Sequence, residues 1–214
     1  MAFPPNGLPG IDVSHYQGHV DWAQVAANGE LFAFCKATES IGATDQYLAD
    51  NWNGIKAAGL LRGAYHFFHP DQDAATQAKY FLNALTKANG SATLAPGDLP
   101  VTLDLEITGN QSPAAILAGA ELWLKTIAAA TGRQPLLYTF TSFWKNTLGN
   151  PKVLANYPLW IAQYSNSNPL PIGAWPTYTL WQFGQQPIPG VAGKVDVNSF
   201  QGSPQDLQTL AGQS

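Results

Sequence analysis

The chain is 214 residues long, 45% hydrophobic and only 11% charged, with a net charge of −4. That length suits one large domain with a sizeable core, and the acidic balance excludes the basic surface that nucleic-acid binding needs. It also denies the chain a general attraction to anionic polymers, so any such polymer has to be recognised by a shaped cleft. The one cysteine, Cys35, rules out an intrachain disulfide, and its setting in Phe32-Ala33-Phe34-Cys35 marks it as a small buried hydrophobe. No run of 18 apolar residues exists, which argues against a membrane span.

Short apolar runs alternate with helical patterns over the first two thirds of the chain. Gly10–Ser14 reads as a strand, Trp22–Ala27 as a short helix and Leu31–Thr38 as a second strand. In Asp45–Ala58, Tyr47, Leu48, Trp52 and Ile55 fall on one helical face, and Gly59 stands where a left-handed cap is wanted. A third strand, Leu61–Phe68, precedes the Ala/Leu-rich helix Ala74–Ala88. Leu99–Ile107 is the fourth strand. Ser112-Pro113 then opens a helix to Thr131, with a side-chain cap, a first-turn proline and Gly132 at its end. After a fifth strand, Gln134–Phe140, the rhythm changes. Pro158–Gln163, Tyr178–Phe183 and Lys194–Val197 are strand-like, but Pro/Gly-rich loops join them, and a short capped helix begins at Ser203. Repeated strand–helix–strand units imply parallel strands with crossover helices. A single-domain barrel whose later strands lack helices fits this order. The alternative, an open doubly wound sheet, usually carries a glycine-rich phosphate turn, and none is present.

The sharpest chemical feature is Leu103-Asp104-Leu105-Glu106-Ile107. Alternate residues of a strand share a face, so Asp104 and Glu106 project together while Leu103, Leu105 and Ile107 pack on the other side. Two acids on an apolar strand are costly unless they reach a wet cleft or are paired. In a barrel such a cleft forms at the C-terminal rim, and mutual repulsion there raises one carboxyl pKa above the other. That separation, one protonated acid beside one ionised partner, is what glycoside hydrolysis requires. An interior ion pair or a metal-binding pair would read the same way. Asp12, ending the first strand, and Asp196, in the last, would meet at one mouth if the barrel closes; otherwise each is an ordinary turn aspartate. His66 and His69 are spaced too loosely for a zinc signature, and His66 reads as a hydrogen-bonded barrel histidine. No G-x-S-x-G elbow exists, and nothing around Cys35 suggests a nucleophile. Of the twelve per cent aromatic residues, some are free to stack on sugar faces, although most buried rings are core.

From about Gly10 to Phe200 the sequence resembles the family 25 glycoside hydrolases, lysozymes of the N-acetylmuramidase type. The resemblance rests on motifs in order. Gly10-Ile11-Asp12-Val13-Ser14-His15-Tyr16-Gln17-Gly18 with Val20-Asp21-Trp22 comes first, then Phe34-Cys35-Lys36-Ala37-Thr38-Glu39 and Gly63-Ala64-Tyr65-His66-Phe67. Asp104-Leu105-Glu106 matches the family's acid pair. Leu137-Tyr138-Thr139, Leu159-Trp160-Ile161-Ala162-Gln163-Tyr164, Leu180-Trp181-Gln182-Phe183 and Val195-Asp196-Val197-Asn198 complete the set. Gln163, before the tyrosine, departs from the commoner pattern, which implies a change confined to one subsite.

The resemblance implies an irregular TIM-like (β/α)5β3 barrel over residues 10–214, preceded by an extension at 1–9. It implies Glu106 as the general acid, Asp104 as its assistant and Asp12 and Asp196 as further acids of the same cleft. Tyr65, Tyr138, Trp160 and Gln182 would contact sugar, with Lys36 near the floor, whereas Trp181 is read as barrel packing. The implied partner is the peptidoglycan glycan strand, cut between N-acetylmuramic acid and N-acetylglucosamine by a monomer that needs no metal or cofactor. The D-x-E spacing is similar to that of substrate-assisted, retaining enzymes, with direct water attack and inversion as the rival. A silent sugar-binding barrel would lack the acid, and a chitinase-like enzyme would lack recognition of the lactyl group. An extracellular or cell-wall site of action is implied. Met1-Ala2-Phe3-Pro4-Pro5 lacks the basic and apolar regions of a secretory leader, so a removed leader or another release route is expected.

Overall fold

The computed structural model describes residues 7–165 and 167–213. Most of the expected N-terminal extension, residues 1–6, lies outside them, while Leu8 and Pro9 already belong to the first strand. In chain order the strands are β1 (Leu8–Val13), β2 (Phe32–Glu39), the two-residue β3 (Ala43–Thr44), β4 (Leu61–Phe67), β5 (Thr102–Asp104), β6 (Leu136–Phe140), β7 (Leu159–Ala162), β8 (Leu180–Gln186) and β9 (Val195–Phe200). The helices are α1 (Trp22–Ala27), α2 (Leu48–Ala57), α3 (Ala74–Asn89), α4 (Pro113–Thr131) and α5 (Pro204–Leu210).

β3 folds back on β2 and stays outside the ring. The other eight strands follow one another as β1–β9–β8–β7–β6–β5–β4–β2, and a parallel β1–β2 pairing closes the barrel. Pairings from β1 through β2 and on to β8 are parallel; β9 alone runs against both neighbours. The reason lies in the connections. Parallel strands need a long crossover, which α1 to α4 supply, whereas the short segment 187–194 between β8 and β9 permits only an antiparallel return. This is the irregular α/β barrel that the helix-poor second half predicts, and first and last strands are neighbours as expected.

Local chemistry fixes the element ends. Asp73 and Ser112 accept from the backbone N–H of Thr76 and Ala115 at the starts of α3 and α4, and Ser203 and Asp206 form a reciprocal capping box on α5. Gly132 ends α4 at φ +73°, where a side chain would be strained. α2 starts three residues later than the sequence pattern suggests, because Asp45 is used elsewhere: its carboxylate accepts from the N–H groups of His15 and Tyr47. The expected strand Leu99–Ile107 shrinks to Thr102–Asp104. Pro100 has no N–H to donate, and beyond Asp104 only Leu105 N–H still reaches the neighbouring strand, at Tyr138 O. α4 is long and apolar enough to cross a membrane by length and composition alone. Its Trp123, Leu124 and Ile127 are nonetheless buried against the barrel and its Glu121–Lys125 pair faces out, the pattern of a barrel helix.

Two apolar layers result. One lies between strands and helices and holds Cys35, Trp52, Phe81, Trp123 and Leu105. His66 is buried in it, stacked on Trp123 at 5.5 Å and hydrogen-bonded to Thr38 Oγ1 and Gln77 Oε1, as a structural histidine should be. The other fills the lower barrel with Phe32, Phe34, Leu136, Trp160, Leu180 and Phe200, and Leu207 of α5 plugs the base. Packing here is close: a Cβ at Gly63 would stand 2.2 Å from the Phe34 ring. The filled base leaves the opposite, C-terminal end of the parallel strands as the open mouth.

Candidate active site

The period of two along each strand decides which side chains rise above the Phe34–Trp160 layer. On β2, Phe32, Phe34 and Lys36 alternate inward; on β5, Thr102 and Asp104; on β6, Leu136 and Tyr138; on β8, Leu180 and Gln182. Register sets the neighbours. Asp12 lies opposite Asp196, Lys36 opposite Tyr65, and Asp104 opposite Tyr138. Because β9 runs against the rest, Asp196 near its start reaches the same rim as residues near the ends of the parallel strands. All nine sequence-predicted site residues therefore line one cavity of about 400 Å³: Asp12, Lys36, Tyr65, Asp104, Glu106, Tyr138, Trp160, Gln182 and Asp196. Glu106 lies just past β5, half-buried, on the segment that leaves the ladder.

A hydrogen-bonded network holds the acids. Asp12 Oδ2 accepts from Gln182 Nε2 at 2.9 Å and from Asn198 Nδ2 at 2.7 Å. Each amide is itself oriented: Trp160 Nε1 donates to Asn198 Oδ1 at 2.8 Å, and Tyr138 Oη donates to Gln182 Oε1 at 3.0 Å. Tyr164 Oη donates to Asp196 Oδ1 at 2.7 Å. Asp104 differs, because its buried Oδ1 meets no donor among the described residues. Lys36 is the cation of this cavity, tied to Glu39 and lying over the Phe67 ring.

Four carboxyl groups around one lysine cannot all ionise at neutral pH. Burial raises the Asp12 carboxyl to about 8, with Asp196 adding to the shift and the two amide donors opposing it. Burial and then the Glu106 charge hold Asp104 well above the ordinary carboxylate range. Glu106 is raised by burial against the pull of Lys36. The cluster thus retains protons at pH 7, as a general acid requires.

That retention has a measurable cost. A carboxyl whose folded pKa exceeds its unfolded value of about 4 binds protons more tightly when folded, so the fold loses stability as pH rises through that window. His66 acts oppositely: burial lowers it to about 4, so its contribution is lost only as pH falls below about 6.5. Between pH 6.5 and 8 the carboxyl effect stands largely alone. The thermal midpoint is expected to drop by roughly 4–8 °C over this range for each carboxyl still protonated at its start, and Asp12→Asn to remove the Asp12 share of that drop. Circular dichroism melts at the two pH values check this; an unchanged drop in the variant places the proton on another acid.

Trp160 is almost wholly buried, so it forms the cavity floor and orients Asn198 instead of offering an open sugar platform. Trp181 is core, as expected, with its indole N–H on Gln163 O. Sequence reasoning missed two residues. Asn198 follows Asp196 by two on the same strand, and the alternation that pairs Asp104 with Glu106 would have placed it. Tyr164 stood within a quoted motif, but only the fold of the loop after β7 brings its hydroxyl to Asp196. Ser14, Tyr16 and Gln17 also line the mouth, with Tyr16 fully out in solvent.

Comparison with known proteins agrees with this geometry. Over 215 residues the chain is 34% identical to lysozyme M1 of Streptomyces globisporus, covering 96% of this chain and 72% of that one. Over 188 residues it is 36% identical to the N,O-diacetylmuramidase of a Chalaropsis species, covering 82% and 87%. The crystal structure of a bacterial lysozyme from Streptomyces coelicolor superposes with a TM-score of 0.89 at 32% identity, over 97% of this chain and 98% of that one. The family model of glycosyl hydrolases family 25 matches residues 11–191, which takes in the barrel from β1 to the approach of β9. With acids, barrel and sequence in accord, the chain belongs to glycosyl hydrolases family 25.

Proposed function

We propose that this glycoside hydrolase is a muramidase, cleaving the β-1,4 bond between N-acetylmuramic acid and N-acetylglucosamine in peptidoglycan. The observation that carries this reading is the juxtaposition of half-buried Glu106 with Asp104, whose buried Oδ1 has no donor among the described residues, in a cavity walled by Tyr65 and Tyr138. Glu106 protonates the glycosidic oxygen as the bond to the anomeric carbon breaks. The substrate's own acetamide carbonyl oxygen attacks that carbon, and Asp104 Oδ1 accepts the acetamide N–H and stabilises the positive charge of the resulting ring. Water then opens the ring, giving its proton to Glu106, and the product keeps its anomeric configuration. Burial and the nearby Asp196 charge favour the protonated form of Glu106, while Gln182, Asn198 and Tyr164 fix Asp12 and Asp196 in place. All these groups come from one chain, so a single copy carries a complete site.

Digestion of purified peptidoglycan followed by borohydride reduction and mass spectrometry identifies the bond cut. Muramitol ends are expected; glucosaminitol ends would move the cleavage to the other linkage. Proton magnetic resonance of the first-formed sugar is expected to show the β-anomer. An initial α-anomer would eliminate the acetamide route in favour of water attack with inversion.

A further inference from the structure

The acid cavity does not end at Tyr138 and Gln182. A second cavity of about 540 Å³ adjoins it and shares Tyr138, Tyr164 and Gln182 as a common wall. Its outer wall is the wide helical turn Phe143–Thr147, pinned by buried Phe143 and Trp144, which leaves Lys145 half-buried at the cavity. Among the described residues no carboxylate lines this space. Among the described residues Lys145 has no ion pair and no side-chain hydrogen bond, whereas Lys36 in the first cavity is neutralised by Glu39. The cleft is thus polarised: acids surround the reaction centre, and an unmatched cation stands at one end beside Phe140 and Ala162.

On the muramidase reading, the substrate alternates a neutral sugar with one whose lactyl ether carries a carboxyl group, free or extended by a peptide. We propose that the second cavity receives the lactyl side arm of a muramyl residue, with Lys145 Nζ pairing a carboxylate on it. Charge complementarity and continuity with the acid cavity support this occupant. A neutral ring would satisfy the aromatic wall but leave Lys145 without a partner. The carboxylate is the lactyl group's own or one on the attached peptide.

The test compares the native enzyme with Lys145→Ala, Lys145→Glu and Lys145→Arg on three substrates. These are intact peptidoglycan, the same glycan stripped of peptides so that lactyl carboxylates are free, and that stripped glycan with its carboxyls amidated by methylamine. Lys145→Ala is expected to raise KM roughly three- to tenfold on a charged substrate, in keeping with a partly desolvated ion pair, while kcat holds. Lys145→Glu should raise it further, Lys145→Arg should restore it, and all four proteins should match on the amidated glycan. An effect on stripped glycan assigns the lactyl carboxylate; an effect on intact wall alone assigns the peptide. Equal KM for native and Lys145→Glu on both charged substrates overturns the proposal and leaves the muramidase reading standing. A folded native protein that cuts none of the three overturns both. Because Lys145 caps no buried network, thermal midpoints within about 2 °C of native are expected for every variant.

Discussion

Glu106→Gln is expected to lower kcat on peptidoglycan by about 10²- to 10⁴-fold, the usual contribution of a positioned general acid, with KM and fold retained. Glutamine keeps the shape of the side chain but has no acidic proton to give the departing oxygen. Among the described residues Glu106 makes no hydrogen bond that the change would break, and glutamine matches its volume, so the substitution leaves no cavity. At alkaline pH, where Glu106 loses its proton, the substitution also removes a charge from a crowd that includes Asp104 and Asp196 and relieves repulsion. A small gain in thermal midpoint at alkaline pH should therefore accompany the loss of activity. That combination, an enzyme more stable and nearly dead, separates a chemical role from a structural one. Single-turnover assays on solubilised glycan give the number. A loss below tenfold would transfer the proton-donor role to Asp104, the carboxyl that competes with Glu106 for the proton. Asp104→Asn distinguishes the two further, because it leaves a donor in place but removes the negative charge that the acetamide ring needs.

Much of this site was legible because strand alternation is rigid. Asp104 and Glu106 could be placed on one face from spacing alone, and Asp12 with Asp196 followed once the barrel was taken to close. The antiparallel course of β9 was not legible, since nothing local in Val195–Phe200 records strand direction; the short connection before it does. The length of β5 was overread for a related reason: apolar alternation continues to Ile107, but hydrogen-bond partners on β4 and β6 end earlier. Residues on loops were the least accessible. Tyr164 and Lys145 reach the cleft only through the path of the chain after β7 and β6, and no periodicity carries that information.

At the opposite end of the barrel, Asp98→Ala is expected to destabilise the fold by about 3–5 kcal/mol, because it strands a buried guanidinium. Arg62 Nε donates to Asp98 Oδ1 at 2.7 Å, while Arg62 Nη1 donates to Trp52 O and Nη2 to Asn89 Oδ1, each at 3.0 Å. The guanidinium also lies 4.0 Å above the Trp52 ring, and Asp98 Oδ2 accepts from Ala95 N–H. One side chain at the start of β4 thereby joins α2, the end of α3 and the loop entering β5. Removing Asp98 leaves the charge enclosed with neutral acceptors only, and a thermal midpoint about 10 °C lower is expected for a chain of this size. Arg62→Met together with Asp98→Ala should recover a good part of the loss, since an apolar pair of similar volume avoids the unpaired charge altogether. Arg62 and Asp98 lie at the base on the helix side of the strands, whereas the acids lie inside the mouth, above the Phe34–Trp160 layer. So kcat measured well below the lowered midpoint should stay near native. If kcat falls in step with stability, the base and the mouth are not independent, and the filled barrel interior is transmitting strain to Asp12 and Asp104.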